Sequence, residues 1–166
     1  MNGIPKGINY YFLKLDTKLF LVISLIITMV ARFIFNNILF ILLQEENGLA
    51  NPFIDGQDVY IQIIMSLVMA PFVETFIFFT LPFNIIGHIK TRWKYLSVPK
   101  WFVLISSLLF AFNHCFNITY FLSSLLGGVI WSVFFLVSNK RMNNSYLNTT
   151  ILHSFYNAVV MLLNYI

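Results

Sequence analysis

Leu19–Leu43 reads LFLVISLIITMVARFIFNNILFILL, with Arg32 its one charged residue. About 20 predominantly apolar residues suffice for a helix to cross a bilayer, and this run exceeds that. Lys14 and Lys18 stand before it, as basic residues stand before a signal peptide. It is nevertheless too long for a signal-peptide core and has no small-residue cleavage site. It reads as a retained first span. The rest of the chain has the same character: 59% of the 166 residues are hydrophobic and only 10% charged. A soluble domain carries about a quarter charged residues, so the chain belongs to the membrane class and reads as a single membrane domain, residues 1–166.

Four further apolar segments come after it. One runs from Val59 to Ile89 and contains Pro71 and Pro82, which predicts two helical pieces or a kinked helix. The others are Trp101–Cys115, Ile118–Ser138 and Tyr146–Ile166. The expected fold is therefore all-α, a polytopic transmembrane bundle of about five spans.

Basic residues sort onto alternate connections. Lys6, Lys14 and Lys18 precede the first span; Lys90, Arg92, Lys94 and Lys100 lie between the second and third; Lys140 and Arg141 lie between the fourth and fifth. The connection after the first span instead carries Glu45, Glu46, Asp55 and Asp58. By the positive-inside rule the N-terminus is cytoplasmic, in a multi-pass protein of the cell membrane. The net charge of +4 is thus a topology signal, and the lipid bilayer, not nucleic acid, is the implied partner. Cys115 is the lone cysteine, which excludes an intrachain disulfide and a cysteine zinc cluster.

Small residues mark the fourth span as a packed helix. Ser124, Gly128 and Ser132 form one row along it, and Ser123 with Gly127 a second. Such rows let helix backbones approach closely in lipid.

Polar groups inside the apolar segments need a reason, because an ionisable one costs about 2.5–3.5 kcal/mol at the bilayer centre on insertion scales. Glu74 lies in APFVETFIFF with no basic residue within two turns, so it pairs with Arg32 of the first span or acts in chemistry. His114 closes FAFNH at the end of the third span. His153 and Asn157 in ILHSFYNAVV are four apart, which stacks them on one helix face; such a pair can also simply tie helices together. Arg32, with Asn36 one turn on, suits snorkelling or pairing. His88 in GHIK suits the interface beside the basic loop.

A carboxylate, two imidazoles and a carboxamide from three spans can activate water and stabilise an oxyanion. Two histidines and a glutamate could also ligate zinc, although the HExxH helical spacing does not occur. A thiol mechanism at Cys115 is disfavoured, because adjacent helical residues point about 100° apart.

These residues carry a resemblance. APFVETFIFF, FAFNH (Phe110 and His114) and HSFYN (His153 and Asn157) resemble, in order, the three motifs of the CAAX-protease and bacteriocin-processing (CPBP, or Abi) family. The similar region covers residues 66–163. The resemblance implies an intramembrane glutamic endopeptidase that acts on a peptide or protein and needs no metal or other cofactor. It assigns water activation to Glu74 with His153, and the oxyanion to His114 and Asn157. The family's second glutamate is Thr75 here and its arginine is Phe79. These two positions are four apart, as in a helical ion pair, so their joint loss leaves no orphan buried charge. Both should face helix neighbours or lipid away from any buried charge.

Depth raises a difficulty. At 1.5 Å per residue, Glu74 and His114 lie roughly 20 Å from their cytoplasmic helix ends, and His153 roughly 10 Å from Tyr146. They meet only if the polar run NNSYLNTT dips into the protein or the fourth span tilts. Irregular backbone lining a cavity open to the cytoplasm is the expectation.

Two other functions compete. One is a non-catalytic protein of the same fold, a bacteriocin immunity factor or sensor scaffold. The other is an ion-coupled transporter using Glu74 and the histidines as a relay, against which stands the lack of repeated halves.

Overall fold

The computed structural model describes residues 15–43, 57–92, 97–142 and 144–165. Lys6, Lys14, Glu45, Glu46, Asp55 and Lys94, on which the orientation partly rests, lie outside them. Five helices form and, among the described residues, no strand: α1 (Thr17–Leu43), α2 (residues 59–92), α3 (Val98–Asn113), α4 (Ile118–Met142) and α5 (Ser145–Tyr165). The chain is an all-α helical membrane bundle.

The five expected spans are not equivalent. α1, α4 and the Val59–Lys90 part of α2 are long and apolar enough to cross a bilayer. α3 has 16 residues, about 24 Å of rise against a hydrocarbon thickness of about 30 Å. α5 opens on a polar turn. Three long helices therefore enclose two that pack among them.

Side-chain caps set several helix starts. The Asp16 carboxylate accepts from the Lys18 N–H, Asp58 from Tyr60 N–H, and Asn117 from Tyr120 N–H. Each serves a donor that the first helical turn leaves without an intrahelical partner.

The bundle is apolar outside and mixed within. α1 exposes Phe33 and Ile41 and buries Phe20, Ser24, Thr28 and Arg32, a stripe at four-residue spacing. Lipid tails are as apolar as leucine, so close packing and internal hydrogen bonds, rather than apolar burial, hold such helices together. Phe20 stacks on Phe134 at 4.8 Å, and Phe79, Phe102, Phe110, Trp131 and Phe135 continue the core.

The two small-residue rows of α4 face different neighbours. A Cβ on Gly128 would lie 2.8 Å from Ser107 Cα, so α3 and α4 touch backbone to backbone there. A Cβ on Gly127 would meet the Arg32 guanidinium at 3.4 Å, so that row carries α1.

α2 does not break at its prolines. It is one continuous helix in which Met65–Met69 and Thr75–Thr80 widen to π geometry, each just ahead of a proline. Ala70 N–H bonds Met65 O, and Leu81 N–H bonds Phe76 O, both five residues back. A proline removes a donor and clashes with the preceding turn. The π turn relieves this by taking in an extra residue, which rotates the remainder of the helix by about 100° relative to an unbroken one.

The polar run before His153 is helical, not irregular. It enters the bundle with Ser145, Asn148, Thr149 and Thr150 buried. Asn148 Nδ2 donates to Ser138 Oγ of α4 at 2.8 Å, and Tyr146 reaches Phe72 O of α2 at 3.3 Å. The start of α5 is thus inside the protein, which removes the depth difficulty without a loop.

Candidate active site

Glu74 ends the short α-helical stretch Ala70–Glu74 between the two π turns. Its carboxylate lies between two imidazoles. Oε1 is 3.8 Å from His114 Nε2, and Oε2 is 3.7 Å from His153 Nε2. Three residues from three helices therefore converge as their chemistry suggested.

His114 is where α3 stops. Its backbone leaves helical geometry at φ −113°, ψ 28°, and its Nδ1 lies 2.8 Å from Phe110 O. A carbonyl only accepts, so Nδ1 carries the proton. That bond serves a terminal carbonyl of α3 and fixes the tautomer at once. Nε2 of the neutral ring then faces Glu74 with a lone pair. Two acceptors do not attract, so a proton must lie between the carboxyl and this ring.

His153 is packed from behind. Trp131 lies 4.0 Å from it between ring centroids and Phe110 6.2 Å, while its Nδ1 has no hydrogen-bond partner. Side-chain exposure is 4% for His153 against 15% for Glu74 and 12% for His114. The approach to the carboxylate is therefore from the Glu74–His114 side.

Asn157 does not join the three. It lies one turn along α5 from His153, and its Nδ2 donates to Ser66 O at 2.8 Å. Ser66 precedes Glu74 by about two turns of α2, roughly 12 Å of rise. The reason is local. Ala70 N–H has gone to Met65 O, and Pro71, next in the π register, has no N–H for Ser66 O. The carboxamide supplies the missing donor.

Arg32 departs from both expectations for it. It neither snorkels nor pairs with Glu74. Only 8% exposed, it points inward, donates from Nη2 to Ser123 Oγ at 2.9 Å and lies 4.7 Å over the Tyr156 ring. Thr75 and Phe79 are fully buried. Phe79 packs between Phe110 and Trp131 at 5.9 and 6.4 Å, and Thr75 Oγ1 has no partner. Uncharged packing fills both positions. Cys115 is exposed, as is His88. Among the described residues, no group of three His, Cys, Asp or Glu side chains has the arrangement of a metal site.

Sequence reasoning missed Trp131 and Ser66. Trp131 continues the Ser123–Gly127 row at four-residue spacing, so the small-residue pattern already pointed along α4 towards the histidine. Nothing in the sequence marked Ser66 before the π turn was seen.

A family model, Type II CAAX prenyl endopeptidase Rce1-like, matches residues 56–159. That range holds Glu74, His114, His153 and Asn157 and leaves α1 outside. No match was found among characterised proteins or among solved structures. The family match covers more than half of the 166 residues, and it agrees with a carboxylate set between two imidazoles inside a membrane bundle: the chain belongs to the type II CAAX prenyl endopeptidase Rce1-like family, within the CAAX-protease and bacteriocin-processing group.

Proposed function

We propose that the chain is a metal-independent intramembrane glutamic endopeptidase of the cell membrane, with its N-terminus in the cytoplasm. The single observation that carries this is Glu74 held within 4 Å of the Nε2 atoms of both His114 and His153. These contacts are longer than a hydrogen bond, as catalytic contacts often are before substrate binds. A water at the exposed edge of Glu74 gives up its proton to the carboxylate, with His153 assisting. The hydroxide attacks the scissile carbonyl carbon. His114 Nε2–H and the second N–H of the Asn157 amide stabilise the oxyanion. The proton held on Glu74 then passes to the leaving nitrogen as the C–N bond breaks. The substrate is a peptide or protein that reaches the site from the membrane.

A non-catalytic immunity or sensor role is the second reading. It is favoured by Thr75 and Phe79, where neutral packing stands in place of the family's charged pair. Glu74→Gln separates the two, because it keeps shape and much of the hydrogen bonding but cannot take a proton. General-base catalysis contributes a factor of about 10²–10⁴, so peptide cleavage by the purified chain should fall by that range at equal membrane level. A processing or immunity phenotype that survives Glu74→Gln and His153→Ala would establish the scaffold instead.

A further inference from the structure

α1 lies outside the family match, yet it sends Arg32 to the back of the site. Arg32 is fifteen residues into a 27-residue helix, about 22 Å from one end and 16 Å from the other, beyond the reach of lipid headgroups on either face. Its guanidinium crosses the α4 surface where Gly127 has no side chain. It then lies over Tyr156, whose ring packs 5.7 Å from Trp131, the residue that backs His153. Its charge acts on both imidazoles of the site.

This cation has no anion. Among the described residues, the ion pairs within 4 Å are those of Glu74 with the two histidines. Nη2 is held by the Ser123 hydroxyl, a neutral acceptor, and the buried Nε has no partner. Nε–H and one Nη N–H form the side-on fork of a guanidinium, which fits a carboxylate with two parallel hydrogen bonds. One turn further along α1, the Asn36 Oδ1 is also buried without a partner. Two unserved groups, a donor fork and an acceptor, thus lie on neighbouring turns of one helix. An unpaired ionised group at this depth is a functional site by default.

We propose that Arg32 is a carboxylate subsite of the peptidase, binding a carboxylate of the substrate peptide through Nε–H and Nη2–H, with Asn36 Oδ1 accepting a neighbouring peptide N–H. The carboxylate is the peptide's own C-terminus or an acidic side chain close to it. The ligand class rests on the peptidase reading, whereas the subsite rests on the unpaired guanidinium.

The test measures binding and cleavage separately on the purified full chain in nanodiscs. Three fluorophore-labelled peptides share a farnesylated cysteine and an apolar tail. One ends in a free carboxylate, one in an amide, and one in an amide after a glutamate. The wild type should bind the free acid about tenfold or more tightly than the plain amide, the range of a charge-assisted hydrogen bond. Recovery by the glutamate peptide would assign the carboxylate to a side chain. Arg32→Gln should bind all three as weakly as the wild type binds the amide, and Arg32→Lys should keep part of the preference. Equal wild-type affinity for acid and amides overturns the subsite without need of any variant, and so does an equal loss on all three peptides in Arg32→Gln. Acid preference without cleavage keeps the subsite and removes the peptidase; cleavage without acid preference does the reverse.

Discussion

Asn157 Nδ2 meets Ser66 O at 2.8 Å, and Pro71 is the reason that carbonyl needs a side-chain donor. The bond ties α5 to the π turn directly before the stretch that presents Glu74. A residue expected on the oxyanion alone also holds the helix that carries the base.

Asn157 and Pro71 should therefore be coupled in stability. Asn157→Ala leaves Ser66 O buried without a donor, a loss of about 1–3 kcal/mol. With Pro71→Ala a backbone N–H becomes available to that carbonyl, and the loss from Asn157→Ala should shrink. A double-mutant cycle on thermal unfolding in detergent should give a coupling of about 1 kcal/mol. Strictly additive losses would mean that the bond does not compensate for the proline.

The helices and the reactive trio were legible because they rest on composition and spacing. Apolar runs mark helices whatever their tilt, and Glu74, His114 and His153 stand out because an apolar segment has no ordinary use for them. The two π turns were not legible. A proline in a span allows a break, a kink or a widened turn, and the choice depends on whether another helix can serve the freed carbonyl, which Asn157 does from far along the chain. The inward course of Arg32 was hidden for a similar reason. Snorkelling and burial differ only in what the facing helix offers, and here Ser123, Gly127 and Tyr156 make room on α4 and α5. The polar run before His153 looked like loop until Ser138 of α4 provided its partner.

The two adjacent glycines of α4 should respond differently to alanine. A methyl at Gly128 would sit 2.8 Å from Ser107 Cα, so α3 and α4 must separate, with a loss of about 1–3 kcal/mol. The shift would also move His114 at the end of α3, and activity should fall with stability. A methyl at Gly127 meets only the far end of the Arg32 side chain at 3.4 Å, and the change should stay within about 1 kcal/mol. Melting temperatures of the two variants, measured side by side, check the order. The reverse order would place α1, not α3, as the tighter neighbour of α4.

Chelators test the chemistry from another side. Glutamate and histidine can activate water unaided, so cleavage by the wild type should be unchanged by dialysis against a strong chelator. Loss of activity that zinc restores would make Glu74, His114 and His153 metal ligands, with His153 rotated to bring its lone pair to the ion.

His114 has two separable duties, one on each ring nitrogen. Nδ1–H serves Phe110 O at the end of α3, while Nε2 faces Glu74. Asparagine places an amide N–H near the position of Nδ1, and glutamine reaches further, near that of Nε2. His114→Asn should keep the helix end, leave the stability within about 1 kcal/mol of wild type, and lose about 10²–10³ in turnover, the value of one oxyanion donor. His114→Gln should do the opposite, losing about 1 kcal/mol from the unserved carbonyl while keeping more of the turnover than His114→Asn. Thermal unfolding and cleavage rates on the same preparations give both readings. If the two variants lose activity in proportion to their loss of stability, His114 is a helix stop and its Nε2 has no part in the reaction.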